Sequence, residues 1–347
     1  MIVVDFDTAI EQSSQYPKRH LLLGNGFSIA CRDNIFRYGR LFDQADFSKL
    51  HGPALSVFNA LLTHDFEKVI NALSITARIT PLYGVDIRQA QTISDDVEVL
   101  KEILVETIAE SHPEQPKDLE DEEYSACQLF LSHFDNVYTL NYDLLLYWAC
   151  MNAEARSKGR YDDGFRTSQD DVDSGDESKY VVWNHNQSHT QNTFYLHGAL
   201  HIFDSGDEIQ KYTWSRTGIR LIDQNRDALN RGLFPLVVAE GTSAEKLTRI
   251  RHSDYLNRAF RSFQSIQYCL FVFGHSLAEN DGHILKLIER GKLSHLFVGL
   301  HGDHNSKENR FIIHRTQSMK QTRSGNNTLL VTYYDSESAN VWGNLKS

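Results

Sequence analysis

Apolar residues occur along the chain in short continuous runs that alternate with longer amphipathic stretches. The runs at residues 20–23, 134–140, 193–196, 233–239, 268–273, 295–300 and 328–334 predict β-strands. Because the runs are continuous, both faces of each strand are expected to be buried, as in a parallel sheet. Strands that alternate with helices predict an α/β fold with a Rossmann-like, doubly wound parallel sheet.

A different pattern occupies residues 46–125. Apolar side chains recur there at helical spacing, in three stripes that include Phe58, Val69 and Leu100. We interpret this segment as a helical insertion within a single domain of residues 1–347. Two acidic segments, 114–123 and 162–179, are predicted to be solvated loops, and the second lacks the ordered spacing of a calcium-binding loop.

Polar residues and glycines directly follow three of the predicted strands. They are Asn141, Tyr142 and Asp143 after the first, His197 and Gly198 after the second, and Gly274, His275 and Ser276 after the third. Taken singly, Asn141 and Asp143 are typical helix caps, and a lone histidine is usually structural. In open α/β sheets, however, ligands bind at the carboxyl edge, so we expect these strand ends to converge on one site.

A fourth strand end carries the glycine-rich sequence Gly24-Asn25-Gly26-Phe27-Ser28. A strand, a glycine turn and a helix start form a phosphate-binding arrangement, because glycines let backbone N–H groups approach an anion. The dinucleotide-binding fingerprint is incomplete, since residue 29 is isoleucine where a third glycine would stand. A tight turn without a ligand is the competing interpretation.

The composition argues against several classes of protein. The net charge of -11, from 46 acidic and 35 basic residues, disfavours nucleic-acid binding through a broad basic face. Cys31, Cys127, Cys150 and Cys269 form no CxxC pair, so they are predicted to be buried thiols of a reducing cytoplasm. No run approaches the ~18 apolar residues of a membrane span, and no signal peptide is evident, so we expect a cytoplasmic protein.

In this order, the four strand ends resemble the motifs of the sirtuin-like superfamily. Residues 24–28 are similar to its Gly-Ala-Gly-x-Ser loop, 139–143 to its Thr-x-Asn-x-Asp segment, 197–198 to its His-Gly turn, and 274–277 with Asp281 to its Gly-x-Ser-Leu loop. The resemblance covers residues 21–284, with the helical segment as an insertion. Residues 238–242 with Lys246 also resemble a branch of bacterial sirtuin-like proteins.

One departure from the superfamily's pattern narrows the expected activity. Deacylating sirtuins carry a four-cysteine zinc module after the His-Gly turn, whereas this chain has only Cys269 between His197 and Gly274. The chain therefore looks more similar to the zinc-free sirtuin-like effectors of bacterial phage defence, which hydrolyse NAD to ADP-ribose and nicotinamide. The resemblance implies an NAD glycohydrolase with NAD as its substrate, and neither a metal nor a cofactor is expected.

The resemblance implies a role for each candidate residue. Asn141 would hold a ribose hydroxyl or the attacking water, and His197, with a reference pKa near ~6.5, would accept a proton. Asp143 would orient Asn141 or stabilise positive charge. Asn141, His197 and Asp143 are therefore the predicted catalytic residues. The amides of residues 24–28 would contact the diphosphate of NAD, and Ser276 and Asp281 would contact its adenosine half. All the residues predicted to contact NAD are Gly24, Asn25, Gly26, Phe27, Ser28, Thr139, Tyr142, Gly198, Gly274, His275, Ser276 and Asp281.

A toxic NADase must be held inactive, and the sequence shows no evident sensor domain. Control by self-assembly or by a separate activator protein is therefore expected, with the helical insertion as a candidate contact surface. Three other functions compete with hydrolysis. The first is a module that binds NAD or ADP-ribose without cleaving it. The second is a deacylase or ADP-ribosyl transferase, which the missing cysteines disfavour. The third is a dehydrogenase, which the incomplete glycine fingerprint disfavours.

Overall fold

The computed structural model describes residues 2–32, 41–50, 53–64, 66–110, 115–157, 161–167, 180–187, 189–213, 220–238, 242–323 and 327–343. The predicted acidic loop at 162–179 lies outside these residues from position 168 onward. Residues 239–241, which belong to the segment resembling bacterial sirtuin-like proteins, also lie outside them.

The described strands form two separate sheets. In chain order they are β1 (Val3–Val4), β2 (Arg19–Leu23), β3 (Asn136–Thr139), β4 (Phe165–Arg166), β5 (Tyr180–Trp183), β6 (Thr193–Tyr195), β7 (Gly198–Asp204), β8 (Ile209–Tyr212), β9 (Pro235–Val237), β10 (Gln267–Phe273), β11 (Lys292–Leu300) and β12 (Leu330–Asp335). The larger sheet has the order β1-β12-β11-β10-β2-β3-β6, and each neighbouring pair in it is parallel. The predicted α/β class with a parallel, Rossmann-like sheet is confirmed.

The helices that accompany these strands carry the apolar stripes found in the sequence. In chain order they are α1 (Phe6–Gln12), α2 (Gly26–Cys31), α3 (Leu41–Gln44), α4 (Ala54–Ala60), α5 (Phe66–Ile79), α6 (Ile87–Glu110), α7 (Asp121–Leu131), α8 (Leu145–Ser157), α9 (Leu221–Asn230), α10 (Ser243–His252), α11 (Asp254–Gln264), α12 (Gly282–Arg290) and α13 (Lys307–Thr322). Phe58, Val69 and Leu100, one from each predicted stripe of the insertion, are buried. Of the described helices, none is long and apolar enough to cross a membrane.

The second sheet was not expected from the sequence. Its order is β4-β5-β8-β7-β9, and its strands pair antiparallel. The apolar run at 233–239 was expected in the parallel sheet, but its strand β9 pairs with β7 instead, so that expectation is wrong. Three strands of this second sheet, β7, β8 and β9, lie between His197 and α10, and β4 and β5 precede His197.

Two element boundaries also differ from the prediction. The acidic segment 114–123 was predicted to be a loop, but helix α7 begins at Asp121, where Glu120 and Glu123 form a capping box. The single helix predicted over 246–263 is two helices, α10 and α11, separated at Ser253, whose backbone is extended. The turn between α5 and α6 leaves Leu82 and Tyr83 exposed, within the segment predicted to contact a partner.

The topology of the parallel sheet defines where a ligand would bind. The chain runs from β2 outward to β3 and β6, and then returns to the other side of β2 to form β10, β11 and β12. The strand order therefore reverses next to β2. Crevices at such a switch point, beyond the carboxyl ends of the strands, are the usual ligand sites of doubly wound sheets.

Candidate active site

Four polar residues follow neighbouring strands of the parallel sheet at this edge. The strand register aligns Phe273, Leu23, Thr139 and Tyr195 in one row across β10, β2, β3 and β6. Two positions later along the chain, beyond the ends of these strands, are His275, Asn25, Asn141 and His197, which we call the polar row. The loops after β2, β3 and β10 are in contact, because Asn141 Nδ2 donates to the Gly24 carbonyl oxygen and Gly24 packs against His275. His197 lies 3.9 Å from Asp281, which also binds His275, so the strand ends converge at one edge as the sequence predicts.

Glycines allow the two central loops of this edge to touch. A Cβ atom at Gly24 would lie 2.6 Å from Cβ of His275, and one at Gly26 would lie 2.5 Å from Cα of Gly274. Gly274 itself has a φ of +67°, which favours glycine. These glycines are therefore explained by loop packing at the switch point, whether or not a phosphate binds there.

The backbone amides of the glycine loop are largely engaged within the protein. The N–H groups of Gly24 and Gly26 donate to the carbonyl oxygens of Phe273 and Gly274, at 2.9 and 2.7 Å. Those of Phe27 and Ser28 donate to carbonyl oxygens three residues earlier in the loop. A diphosphate would have to replace some of these bonds, so the predicted anion cradle is not open in this arrangement.

Ser28, Asn141 and Asp143 form a buried hydrogen-bond network, which we call the amide corner. Asn141 Nδ2 donates to Ser28 Oγ at 2.9 Å and to the Gly24 carbonyl oxygen at 3.1 Å. Ser28 Oγ in turn donates to Asp143 Oδ2 at 2.5 Å, while Asp143 Oδ1 accepts from the Leu145 N–H at 2.9 Å. Asp143 thus orients Asn141 through Ser28 and also caps helix α8, so both interpretations from the sequence apply to it.

This network decides which atom of Asn141 could meet a ligand. Both hydrogens of its Nδ2 group are directed at protein acceptors, Gly24 and Ser28. The bond from the Asn141 N–H to Thr139 Oγ1, at 3.0 Å, fixes the backbone of the same loop. The side-chain oxygen Oδ1 is therefore the group of Asn141 that is suited to accept a hydrogen bond from a hydroxyl or a water.

Several other residues predicted to contact NAD pack against neighbouring parts of the protein. The Phe27 ring is buried against Trp342, 5.0 Å between ring centres, and Trp342 Nε1 donates to the Phe27 carbonyl oxygen. The ring of Tyr142 belongs to the hydrophobic core. Ser276 is exposed on the loop after β10, and Gly198, with a φ of +75°, lets β9 pass beside the His-Gly turn.

A second group, which we call the histidine corner, consists of His197, His275, His283, Lys246 and Asp281. His197 Nε2 lies 3.0 Å from His283 Nε2, and His283 Nδ1 lies 3.3 Å from Ser243 Oγ. Asp281 Oδ1 is 3.0 Å from Lys246 Nζ, and its Oδ2 is 3.1 Å from His275 Nε2. Since His275 Nδ1 accepts from the Leu277 N–H, its Nε2 carries the proton that is donated to Asp281.

Burial sets the protonation states in the histidine corner. Desolvation lowers the pKa of His197 to about 3, because it outweighs the attraction of Asp281, and it lowers the pKa of His283 to about 4. Burial alone would raise the pKa of Asp281, but the His275 hydrogen bond and the nearby positive charges hold that pKa well below its usual range. Both imidazoles are therefore neutral at pH 7, so His197 has a lone pair with which to accept a proton, and its predicted role as the base stays a prediction.

His197, His283 and Asp281 also offer the donor atoms of a metal site, which the sequence did not predict. One ligand atom from each lies within 4.8 Å of the others. The ring centres of the two histidines are 5.2 Å apart while their Nε2 atoms are 3.0 Å apart, so the rings meet almost end to end. Lone pairs that face each other in this way suit a shared proton better than a common metal ion, and the Lys246 ammonium already binds Asp281.

The arrangement of the site differs from the prediction in two respects. Asp281 lies in the same cluster as His197, which the sequence did not predict, and its place at the adenosine half of NAD stays a prediction. His283 and the contact of Lys246 with Asp281 were not found from the sequence, because both residues lie on helices whose packing brings them to the sheet edge. The one available signal was the spacing of Asp281 and His283, two residues apart at the start of α12.

The chain belongs to the DUF4917 family, described as a domain of unknown function, which matches residues 21–342. This match includes the polar row, the amide corner and the histidine corner. No curated protein matches the chain.

Proposed function

We propose that the protein is an NAD glycohydrolase, which cleaves NAD with water into nicotinamide and ADP-ribose. The observation that carries the proposal is the meeting of the strand-end loops at one edge of the parallel sheet, where Asn141 bonds to the Gly24 loop and His197 lies beside Asp281, which binds His275. The resemblance of the four strand ends to sirtuin-like motifs is the reason for proposing NAD as the substrate. The proposed role is that of a cytoplasmic antiviral effector that depletes NAD.

The groups of the site suit the chemistry of this cleavage. The C1′–N1 bond of the nicotinamide ribose breaks with its electron pair going to the ring nitrogen, so nicotinamide leaves neutral and no acid is required. Asn141 Oδ1 accepts from a ribose hydroxyl or the attacking water. His197 takes the proton of that water, whose oxygen becomes strongly acidic as it bonds to the cationic carbon, so a neutral imidazole of low pKa is a sufficient base.

The amide corner and the glycine loops hold this geometry. Ser28 and Asp143 fix the Asn141 side chain through the bonds described above. The exposed Ser276, on the loop after β10, is the proposed contact for the adenosine half of NAD. The diphosphate binds at residues 24–28 after the loop amides exchange their internal bonds for bonds to the phosphate oxygens.

Regulation follows from the burial of the site. The side chains of Asn141 and His197 are both buried, at 7% and 4% exposure, so NAD reaches them only after the surrounding loops move. We propose that self-assembly or an activator protein produces this opening. Size-exclusion chromatography combined with activity measurements tests it, because a monomer that is fully active without any partner would contradict the regulatory proposal.

The decisive experiment measures nicotinamide release by chromatography from purified protein, alone and with the products of neighbouring genes. Asn141→Ala and His197→Ala are each expected to lower the rate by about 10²–10⁴-fold, since each removes one acid–base or electrostatic contribution. Asn186→Ala and His252→Ala, which alter exposed residues of the same types, are the matched controls. If both site variants fold and cleave NAD like the parent, the assignment is refuted.

One alternative has a specific observation in its favour. The loop amides are already bonded within the protein, and the site residues are buried, as in a module that only senses a nucleotide. Such a module would bind NAD or ADP-ribose without turnover. Calorimetry that finds tight NAD binding, with no product in any partner or oligomeric state, would favour this alternative over hydrolysis.

A further inference from the structure

A line of three hydrogen-bonding side chains leads from the buried site toward the surface. It begins at His197, which is 4% exposed, continues to His283 through the 3.0 Å contact of their Nε2 atoms, and ends at Ser243 through the 3.3 Å contact with His283 Nδ1. Ser243 is the first residue of α10 and is only partly buried. None of the sirtuin-like motifs in the sequence contains His283 or Ser243.

We propose that His197, His283 and Ser243 form a relay that carries the proton of the attacking water out of the active site. The relay rests on the proposed NAD hydrolysis. That reaction converts NAD and water into nicotinamide, ADP-ribose and one proton. A proton left on a buried imidazole would block the next turnover, so a site as enclosed as this one needs an exit path.

The hydrogen-bond pattern allows two starting states, and the relay begins from the one in which His197 donates. The 3.0 Å contact requires one Nε2 atom to donate and the other to accept. When His197 Nε2 donates to His283 Nε2, His283 carries its proton on Nδ1 and donates it to Ser243 Oγ. This arrangement leaves the Nδ1 lone pair of His197 as the proton acceptor for the reaction.

Each proton then moves by one bond, and the charge balances. The water oxygen bonds to C1′ and gives its proton to His197 Nδ1. The proton on His197 Nε2 passes to His283 Nε2, and the proton on His283 Nδ1 passes to Ser243 Oγ. The Ser243 hydroxyl releases its own proton to solvent, and both imidazoles are neutral again in the opposite tautomers. When the site opens for product release, water takes the Nδ1 proton of His197, the Nε2 proton of His283 returns to His197 Nε2, and His283 Nδ1 regains a proton from solvent through Ser243, which restores the start without net charge.

The charged neighbours favour transfer over retention of the proton. Asp281 Oδ1 lies 3.9 Å from His197 Nε2, close enough to stabilise a passing positive charge. Lys246 and His275 occupy the two oxygens of Asp281, so the carboxylate does not itself capture the proton. The Lys246 ammonium also repels a cation that stays on either histidine.

The test compares two substitutions of His283 that differ in one property. The amide oxygen of His283→Gln can accept the hydrogen bond from His197 Nε2 but cannot pass a proton on, whereas His283→Phe does neither. The relay predicts that both variants bind NAD with little change in KM and lose about 10²–10⁴-fold in kcat. A Gln variant with parental kcat would overturn the relay, because His283 would then only orient His197.

Ser243→Ala supplies a variant at the partly exposed end, where folding is not at risk. We expect a smaller loss of kcat than for His283→Gln, with recovery in Ser243→Thr, which keeps a hydroxyl. Thr248→Ala, an exposed hydroxyl on the same helix, is the control. Equal kcat for Ser243→Ala and the parent would remove Ser243 from the relay.

Nitrogen-15 spectra of the histidine side chains test the resting state without any activity measurement. The relay predicts one Nε2 proton shared by His197 and His283, with complementary tautomers in the parent. A stoichiometric metal ion in the purified protein, bound through both Nε2 atoms, would overturn it. Absence of nicotinamide release from the parent would refute the proposed hydrolysis, whereas normal release with an active Gln variant would refute only the relay.

Discussion

The amide corner and the histidine corner lie at the same sheet edge but are built from different physical interactions. In the amide corner, Ser28, Asn141 and Asp143 exchange short hydrogen bonds with one another and with the backbone. In the histidine corner, a buried lysine and a partly buried aspartate form an ion pair beside two neutral imidazoles. The first holds groups in place, and the second holds groups that can exchange protons.

This difference indicates a division of labour. A network of hydrogen bonds fixes Asn141 in one orientation and leaves one acceptor atom for a ligand. The two imidazoles, kept neutral by burial, retain lone pairs at neutral pH and lie beside a carboxylate. Perturbed pKa values of this kind are concentrated at functional sites, although buried ion pairs with a structural role also cause them.

The largest expected effect of a single substitution is in the histidine corner. Lys246→Met leaves the Asp281 carboxylate buried with its ammonium partner removed, which typically costs about 3–5 kcal/mol. The double variant Lys246→Met with Asp281→Asn should recover much of that loss, because no uncompensated charge remains. Urea unfolding measures both, and a double variant less stable than the single one would show that the ion pair is not the dominant interaction there.

A smaller loss is expected in the amide corner. Ser28→Ala removes the hydroxyl that links Asn141 to Asp143 and should cost about 1–3 kcal/mol, the usual penalty for a buried group left without its partner. Ser125→Ala, an exposed helical serine, is the control. If the two variants unfold at the same urea concentration, the amide corner does not contribute to stability.

The pH dependence of the free energy of unfolding should distinguish the histidine corner from the amide corner. Burial lowers the pKa of His197 to about 3 and of His20, His283 and His295 to about 4, so the unfolded chain binds more protons below pH 6.5. Stability is therefore expected to change little between pH 7 and pH 8 and to fall as the pH decreases from 6.5 toward 4, by at most about 1.4 kcal/mol per pH unit for each histidine.

The same measurement on variants locates the effect. His283→Gln should weaken the pH dependence, whereas Ser28→Ala should leave it as steep as in the parent. Urea midpoints at pH 7.5 and pH 5.5 are sufficient. Stability that is independent of pH across this interval would mean that the histidines titrate normally in the folded protein.

The smallest expected effect is on the pH dependence of NAD cleavage. Because His197 loses its lone pair only near its lowered pKa, kcat/KM should change little between pH 8 and pH 5.5. A base with the ordinary histidine pKa would instead lose most of its activity over that range. An acidic limb centred near pH 6.5 would place the catalytic base outside the buried histidine pair.

The sequence predicted the sheet and the convergence of its strand ends because continuous apolar runs followed by polar residues are local signals. It could not predict which side chains of these loops would bond to one another, such as Asn141 to Ser28, since that depends on the tertiary arrangement of the loops. His283 and the contact of Lys246 with Asp281 were missed because their helices reach the site only through tertiary packing. The glycines of residues 24–28 were interpreted through phosphate binding, whereas the close contact with Gly274 already requires them.

One measurement tests the proposed hydrolysis most directly. NAD is incubated in ¹⁸O-labelled water with the protein and its candidate activators, and the products are identified by mass spectrometry. Hydrolysis at this site predicts free nicotinamide together with ADP-ribose that carries one ¹⁸O atom at C1′, and loss of both products in His197→Ala. NAD recovered intact from every mixture, despite measurable binding, would contradict the proposal and leave a nucleotide-binding module in its place.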